Sequence, residues 1–122
     1  MTQVLKGLRV VEHGTFITGP AASMILADMG AEVVKVELPG TGDPFRAFKG
    51  GLYPRKPEAR ATFDKLIAGA DVYIQNFRPG FAEQIQAGEE RLREMNPRLI
   101  YCAISGFGQD GPYRDHPAYD MI

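Results

Sequence analysis

The chain has 122 residues, 44% of them hydrophobic and 24% charged, with a formal net charge of -1. That is material for one ordinary domain with a single core, and the near-neutral balance excludes general nucleic-acid binding, which needs a basic excess. A single cysteine, Cys102, excludes an internal disulfide. No apolar run approaches the roughly 20 residues that cross a bilayer, and Met1-Thr2-Gln3 lacks the basic start of a secretory signal. A cytoplasmic protein with no membrane or nucleic-acid partner is expected.

Leu8-Arg9-Val10-Val11-Glu12 is a short β-favouring run ended by His13-Gly14, and it reads as the first strand. A loop from Thr15 to Gly19 leads to Pro20, suited to the first turn of a helix. In that helix Ala22, Ile25, Leu26 and Met29 form the expected apolar stripe, and Gly30 closes it. Ala31 to Glu37, alternating around Val33, Val34 and Val36, is the second strand, and the βαβ unit predicts parallel pairing.

From Leu38 to Arg55 the chain is rich in glycine and proline. A structureless stretch of that length fits poorly inside a compact domain. Helical spacing resumes after Pro57-Glu58, with Ala59, Phe63, Leu66, Ile67 and Ala70 on one face. Asp71 to Gln75 is the third strand, residues 81–95 are helical with Gly88 splitting them, and Leu99 to Ser105 is the fourth strand. The glycine- and aromatic-containing tail after Ser105 has the composition of loops that line sites. The class is α/β, a Rossmann-like parallel sheet with flanking helices.

Asn76-Phe77-Arg78-Pro79-Gly80, directly after Val72-Tyr73-Ile74-Gln75, is the most informative stretch. It places an amide, a ring and a guanidinium at the C-terminal edge of a strand, where open α/β sheets bind ligands. A ring to stack on a base, a fork for phosphate and an amide to fix orientation suit a nucleotide. On local chemistry alone, a strand followed by a solvated turn stands equally open.

Gly14 and Gly19 are five apart, without a G-x-G-x-x-G, so a standard NAD or FAD site is not expected. The helix beginning at Pro20 still offers a positive dipole end to an anion. His13 and His116 are distant in sequence; His13 reads as structural and Cys102 as a small buried hydrophobe. No metal site is expected, and Ser23 and Ser105 lack a nucleophile elbow. Glu37, ending the second strand, stands where a ribose hydroxyl is often held; a solvated carboxylate is the equal alternative.

In order along the chain come Leu5-Lys6-Gly7-Leu8-Arg9-Val10-Val11-Glu12, Gly19-Pro20, and Leu26-Ala27-Asp28-Met29-Gly30-Ala31-Glu32-Val33-Val34-Lys35-Val36-Glu37. Gly40-Thr41-Gly42-Asp43, Asn76-Phe77-Arg78-Pro79-Gly80, Asn96-Pro97-Arg98-Leu99-Ile100-Tyr101 and Ser105-Gly106-Phe107-Gly108-Gln109 follow. Each piece is weak alone. The ordered set resembles the amino-terminal part of the family III CoA-transferases, which include formyl-CoA:oxalate transferases, carnitine CoA-transferases and α-methylacyl-CoA racemases. The resemblance implies that residues 1–122 form a partial CoA-binding Rossmann-like domain, incomplete relative to the family's interlocked dimer. The family's usual segment after Tyr53, with an Asn-(Gly/Asn)-Lys-Arg-Ser run and a short strand, is missing here. The join falls near residues 53–56, and the rest of the family chain is absent after Ile122.

What the resemblance implies for chemistry is CoA transfer between carboxylic acids. An aspartate passes through a mixed anhydride and then a CoA thioester. That aspartate matches a position beyond Ile122, so no catalytic residue is expected here. CoA or acyl-CoA is then a substrate, with no covalently bound cofactor, a carboxylic acid is the second substrate, and the full-length form is a homodimer.

Position by position, Phe16, Asn76 and Phe77 match CoA contacts, and Ile17, Leu38, Arg78 and Tyr119 belong to the same implied site. Arg78 stands where formyl-CoA transferases have glycine and other members have arginine. Ile17 replaces a glutamine that assists catalysis in formyl-CoA transferases, Leu38 an arginine near the nucleotide, Gln84 another basic residue and Pro117 a lysine. Formate and oxalate specificity is therefore not implied. Tyr119 stands where the racemases carry their catalytic histidine, and tyrosine occurs there in transferases, which favours a transferase over a racemase-type enzyme. A racemase-type enzyme, kept open by the nearby His116, and a catalytically silent CoA- or nucleotide-binding fragment are the alternatives.

Overall fold

Side-chain alternation along two central strands divides the core into two layers. Val10, Val72 and Ile74 face one side of the sheet, and Val11 and Tyr73 face the other. The computed structural model describes residues 3–44 and 57–118. Tyr119 and the expected join near residues 53–56 lie outside the described residues.

The strands are β1 (Arg9–Glu12), β2 (Glu32–Lys35), β3 (Val72–Gln75) and β4 (Ile100–Ala103), and the helices are α1 (Thr18–Asp28), α2 (Pro57–Ala68), α3 (Phe81–Gln84) and α4 (Glu89–Met95). The strands form one parallel sheet in the order β2-β1-β3-β4. The fold is α/β, as expected, and each strand is shorter than the run that announced it. Because β2 lies to one side of β1 and β3 to the other, strand order reverses between β1 and β3. In a doubly wound sheet that switch point, at the strands' C-terminal edge, is where the connecting loops part and leave a crevice.

One face of the sheet packs Val10, Val72 and Ile74 with Ala31, joined by Leu8, Leu26, Val33 and Ile104. Cys102 is half-buried at the border of this layer, packing as the small hydrophobe expected. The other face packs Val11 and Tyr73 against Phe63 and Ile67 of α2, Leu92 of α4, and Leu99. Each such fully buried large side chain contributes about 1.5–3 kcal/mol. Polar staples fix the helices on this second face. The Arg91 guanidinium forks onto the Asp64 carboxylate at 3.1 and 2.8 Å, and the Asn96 amide donates to the Ile67 and Ala70 carbonyls at 3.0 and 2.7 Å.

The expected stripe on α1 is corrected in part. Ile25 and Met29 are exposed, and the buried residues of this helix are Gly19 and Ser23, with Leu26 packing beside them. The helix is apolar nearly all round, so periodicity alone does not say which side faces the sheet. Small residues at positions 19 and 23 let the backbone come close, and they set the face. Gly30 does close α1, with φ 102° and its N–H donating to the Ala27 carbonyl at 2.9 Å. Gly88, extended at φ -70° and ψ 156°, separates α3 from α4 as expected.

Candidate functional site

All four strands end at one edge, and the loop after β1 is the part most tightly built. Gly14 and Gly19 are glycines because of space. A Cβ on Gly14 would lie 2.8 Å from Glu12 Oε1, 2.9 Å from Asn76 Oδ1 and 3.0 Å from the Gly19 Cα. Their spacing, which fits no dinucleotide motif, serves this close approach instead.

Three successive amides of that loop donate to side-chain oxygens from three different parts of the chain. Gly14 N–H bonds Glu12 Oε1 at the end of β1, Thr15 N–H bonds Asn76 Oδ1 after β3 at 2.8 Å, and Phe16 N–H bonds Asp43 Oδ1 at 3.1 Å. The Asn76 amide nitrogen donates back to the Thr15 carbonyl and to Thr18 Oγ1, both at 2.8 Å, so one side chain ties the end of β3 to the loop and to the start of α1. These amides already have protein acceptors. They do not form an open cradle for phosphate.

Lys35, at the end of β2, holds this arrangement together electrostatically. Its ammonium lies 2.6 Å from Glu12 Oε2, 3.0 Å from Asp43 Oδ2 and 3.1 Å from the Gly14 carbonyl. Glu12 and Asp43 are buried and Lys35 is largely covered. A buried carboxylate needs such a partner and such donors to stay charged. This cluster was not anticipated from sequence. Its signal is that β1 ends in a glutamate and β2 in a lysine, paired directly in the parallel register.

Held in this way, the loop presents Phe16 (47% exposed) and Ile17 (53%) to solvent, with Phe16 at φ 63°. Few non-glycine residues adopt that backbone conformation. Leu38 follows β2 on the same edge and is half-buried, its carbonyl accepting from Gly42 N–H at 3.0 Å. Glu37 beside it is half-buried.

After β3, Gln75 Oε1 accepts from Phe77 N–H at 2.6 Å and shapes the turn. The Phe77 ring is buried, meeting His13 edge-on at 5.1 Å and Phe81 at 5.4 Å between centroids. It therefore presents no open face for a base to stack on. Arg78 is exposed, and the turn closes through Phe81 N–H to the Arg78 carbonyl at 3.0 Å with Gly80 at φ 83°. A second guanidinium stands nearby: a Cβ on Gly80 would come 3.4 Å from Arg114 Nη2. Thus Phe16, Ile17, Asn76 and Phe77 gather at the β1–β3 switch point, Arg78 and Leu38 lie further along the same edge, and Arg114 is an addition the sequence reading missed.

His13 proves structural. Its Nδ1 is 3.1 Å from Tyr73 Oη, and its ring packs against Phe63 and Phe77. Burial, helped by the positive charges of Arg60 and Lys35, pulls its pKa down to about 4, so it is neutral near pH 7. Burial raises the Tyr73 phenol well above its usual range and moves Tyr101 up to about 12. Neither phenol is ionised near neutrality. Among the described residues no cluster of His, Cys, Asp and Glu is arranged to hold a metal ion, and no helix is long and apolar enough to cross a membrane.

Comparison with known proteins gives a consistent result. The sequence model of CoA-transferase family III matches residues 5–53 and 51–122. The chain is 40% identical to succinyl-CoA–D-citramalate CoA-transferase of Chloroflexus aurantiacus, over 97% of this chain and 34% of the relative. It is 38% identical to acetyl-CoA:oxalate CoA-transferase of Acetobacter aceti, over 95% of this chain and 35% of the relative. Its fold superposes on the crystal structure of a CAIB/BAIF family protein from Brucella suis with a TM-score of 0.88 and 34% identity, covering 98% of this chain and 38% of that one. The chain thus spans about a third of the length of the relatives it matches.

Proposed function

Because the chain belongs to CoA-transferase family III, we propose that it forms the CoA-binding part of an enzyme that moves CoA from an acyl-CoA to a carboxylic acid. The observation that carries this reading is the family match across nearly the whole chain, among relatives whose names specify CoA transfer to carboxylates. Geometry supports a location. The C-terminal edge of the sheet gathers Phe16, Ile17, Asn76 and Phe77 at the β1–β3 switch point, with Arg78 and Leu38 further along it. In this reading Tyr119 also contributes to CoA binding.

The division of labour follows from the contacts. The exposed Arg78 guanidinium gives a charge-assisted fork to a CoA phosphate. Phe16 and Ile17 supply apolar contact. Asn76 and Phe77 act from beneath, fixing the loop and its floor.

The acyl-accepting aspartate, with its mixed anhydride and CoA thioester, belongs to the part of the family chain downstream of the matched region. We assign no carboxylate described here to that step. The family match breaks into two segments meeting at residues 51–53, and the alignment with the Chloroflexus relative runs over 138 positions against 122 residues here. Both support the reading that relatives carry a segment near residues 53–56 that this chain lacks. A homodimer in the full-length form, in the cytoplasm, completes the proposal. The transferase names of the relatives favour this chemistry over a racemase.

Isothermal titration of the 122-residue chain with CoA tests the reading. Saturable binding, weakened about tenfold by Arg78→Ala through loss of a charge-assisted contact, is expected. Absence of heat at millimolar CoA refutes it.

A further inference from the structure

The site residues stand on separate connections: Phe16 and Ile17 after β1, Leu38 after β2, and Asn76 to Arg78 after β3. Asp43 joins the first two of these. Asp43 follows Leu38 by five residues, yet its carboxylate is buried against the β1 loop, with Oδ1 accepting from Phe16 N–H at 3.1 Å and Oδ2 3.0 Å from Lys35 Nζ. Phe16 is held at φ 63°. A non-glycine residue keeps that conformation only where its surroundings over-determine it. On one side of Phe16, Thr15 is pinned at both its N–H and its carbonyl by Asn76. On the other, α1 begins at Thr18.

We propose that Asp43 is a positioning residue of the ligand-binding edge, fixing the Gly14–Ile17 turn through the Phe16 amide and through Lys35 so that Phe16 and Ile17 face the ligand. The proposal rests on the CoA-binding reading for its ligand, but the geometric part stands on the hydrogen bonds alone. Asp43 touches neither CoA nor any reacting atom in this scheme. It acts through the loop, and it also couples the connection bearing Leu38 to the one bearing Phe16.

Two variants and two readouts test it in the 122-residue chain. Asp43→Ala removes both oxygens, whereas Asp43→Asn keeps an acceptor for Phe16 N–H but turns an N–H donor toward Lys35 in place of the second oxygen. Backbone amide hydrogen exchange should show Phe16 exchanging at least about tenfold faster in Asp43→Ala, the scale of one lost charge-assisted hydrogen bond. Val10, Val11 and Tyr73 in the sheet should not change. CoA affinity should fall about tenfold in the same variant, and Asp43→Asn should lie between alanine and the parent in both measurements.

Unchanged exchange at Phe16 in Asp43→Ala overturns the clamp. Faster exchange with unaltered CoA affinity overturns the positioning role, as does an Asp43→Asn variant no better than alanine in both measurements. If Asp43→Ala does not fold, the Phe16 exchange rate in Asp43→Asn decides alone: protection supports the clamp, and its loss refutes it. A parent chain that binds no CoA refutes the proposed function, and the exchange comparison then still decides the clamp.

Discussion

Two connections leave the same edge of the sheet and are built in opposite ways. The loop after β1 is short and interlocked: three consecutive amides, two carbonyls and one threonine hydroxyl are bonded to side chains from β1, β2 and the connections after β2 and β3. The segment after β4 is long and exposed from Gly106 to Ala118, and its contacts are mostly its own. Phe107, Tyr113 and His116 stack on one another at 5.3–6.3 Å, and Arg114 N–H and His116 N–H bond carbonyls three residues earlier. The first loop holds its shape because distant parts of the chain agree on it. The second, among the described residues, is held mainly by contacts within itself. A site formed from both has a preset wall and an adaptable one.

Substitutions should separate the two. The largest effect is expected for Lys35→Met, which leaves Glu12 and Asp43 buried without their shared cation; a loss of about 3 kcal/mol in urea unfolding follows. A loss below about 1 kcal/mol would mean that the cluster is far better hydrated than its burial suggests.

His13, at the root of the same loop, gives the next effect through pH. Its folded pKa of about 4 lies below the ordinary 6.5, so the unfolded chain takes up the proton first as pH falls. Its contribution is complete above pH 6.5 and is lost as pH drops toward 4, amounting to about 3 kcal/mol across that window. His13→Gln should flatten that part of the stability–pH curve, and an unchanged slope would count against a buried neutral imidazole.

Asn76→Ala should cost about 2 kcal/mol, since it leaves Thr15 N–H and its carbonyl unsatisfied, and should weaken CoA binding with it. The smallest effect belongs to the tail. Tyr113, 60% exposed, should tolerate alanine with a change under about 0.5 kcal/mol in thermal or urea unfolding. A cost like that of Asn76→Ala would erase the contrast between the two connections.

The sequence made much of the fold readable, and the reasons are local. The strands around Val10, Val33, Val72 and Ile100 were legible as short apolar, β-favouring runs, and Pro57, Gly30 and Gly88 marked helix boundaries by backbone chemistry. Reading failed where a choice depends on what lies across space. On α1 an apolar surface all round concealed the packing face, which Gly19 and Ser23 decide by being small.

At the site, Asn76-Phe77-Arg78 was found from its place after a strand, but the roles of its ring and its amide were not. The ring turned inward against His13, and the amide bonded Thr15 and Thr18 instead of standing open. Asp43 lies 27 residues from Phe16 and 31 from Glu12 in the chain, and no local pattern announces their meeting at Lys35.

The central claim is that CoA binds at the C-terminal edge where β1 and β3 part. Titrating the isotope-labelled chain with CoA and following backbone amide NMR shifts tests this most directly. Saturable shifts concentrated at residues 14–18, 36–39 and 76–80, with the α2–α4 face unmoved, are expected. Shifts centred on α2 and α4, or none at millimolar CoA, would contradict it.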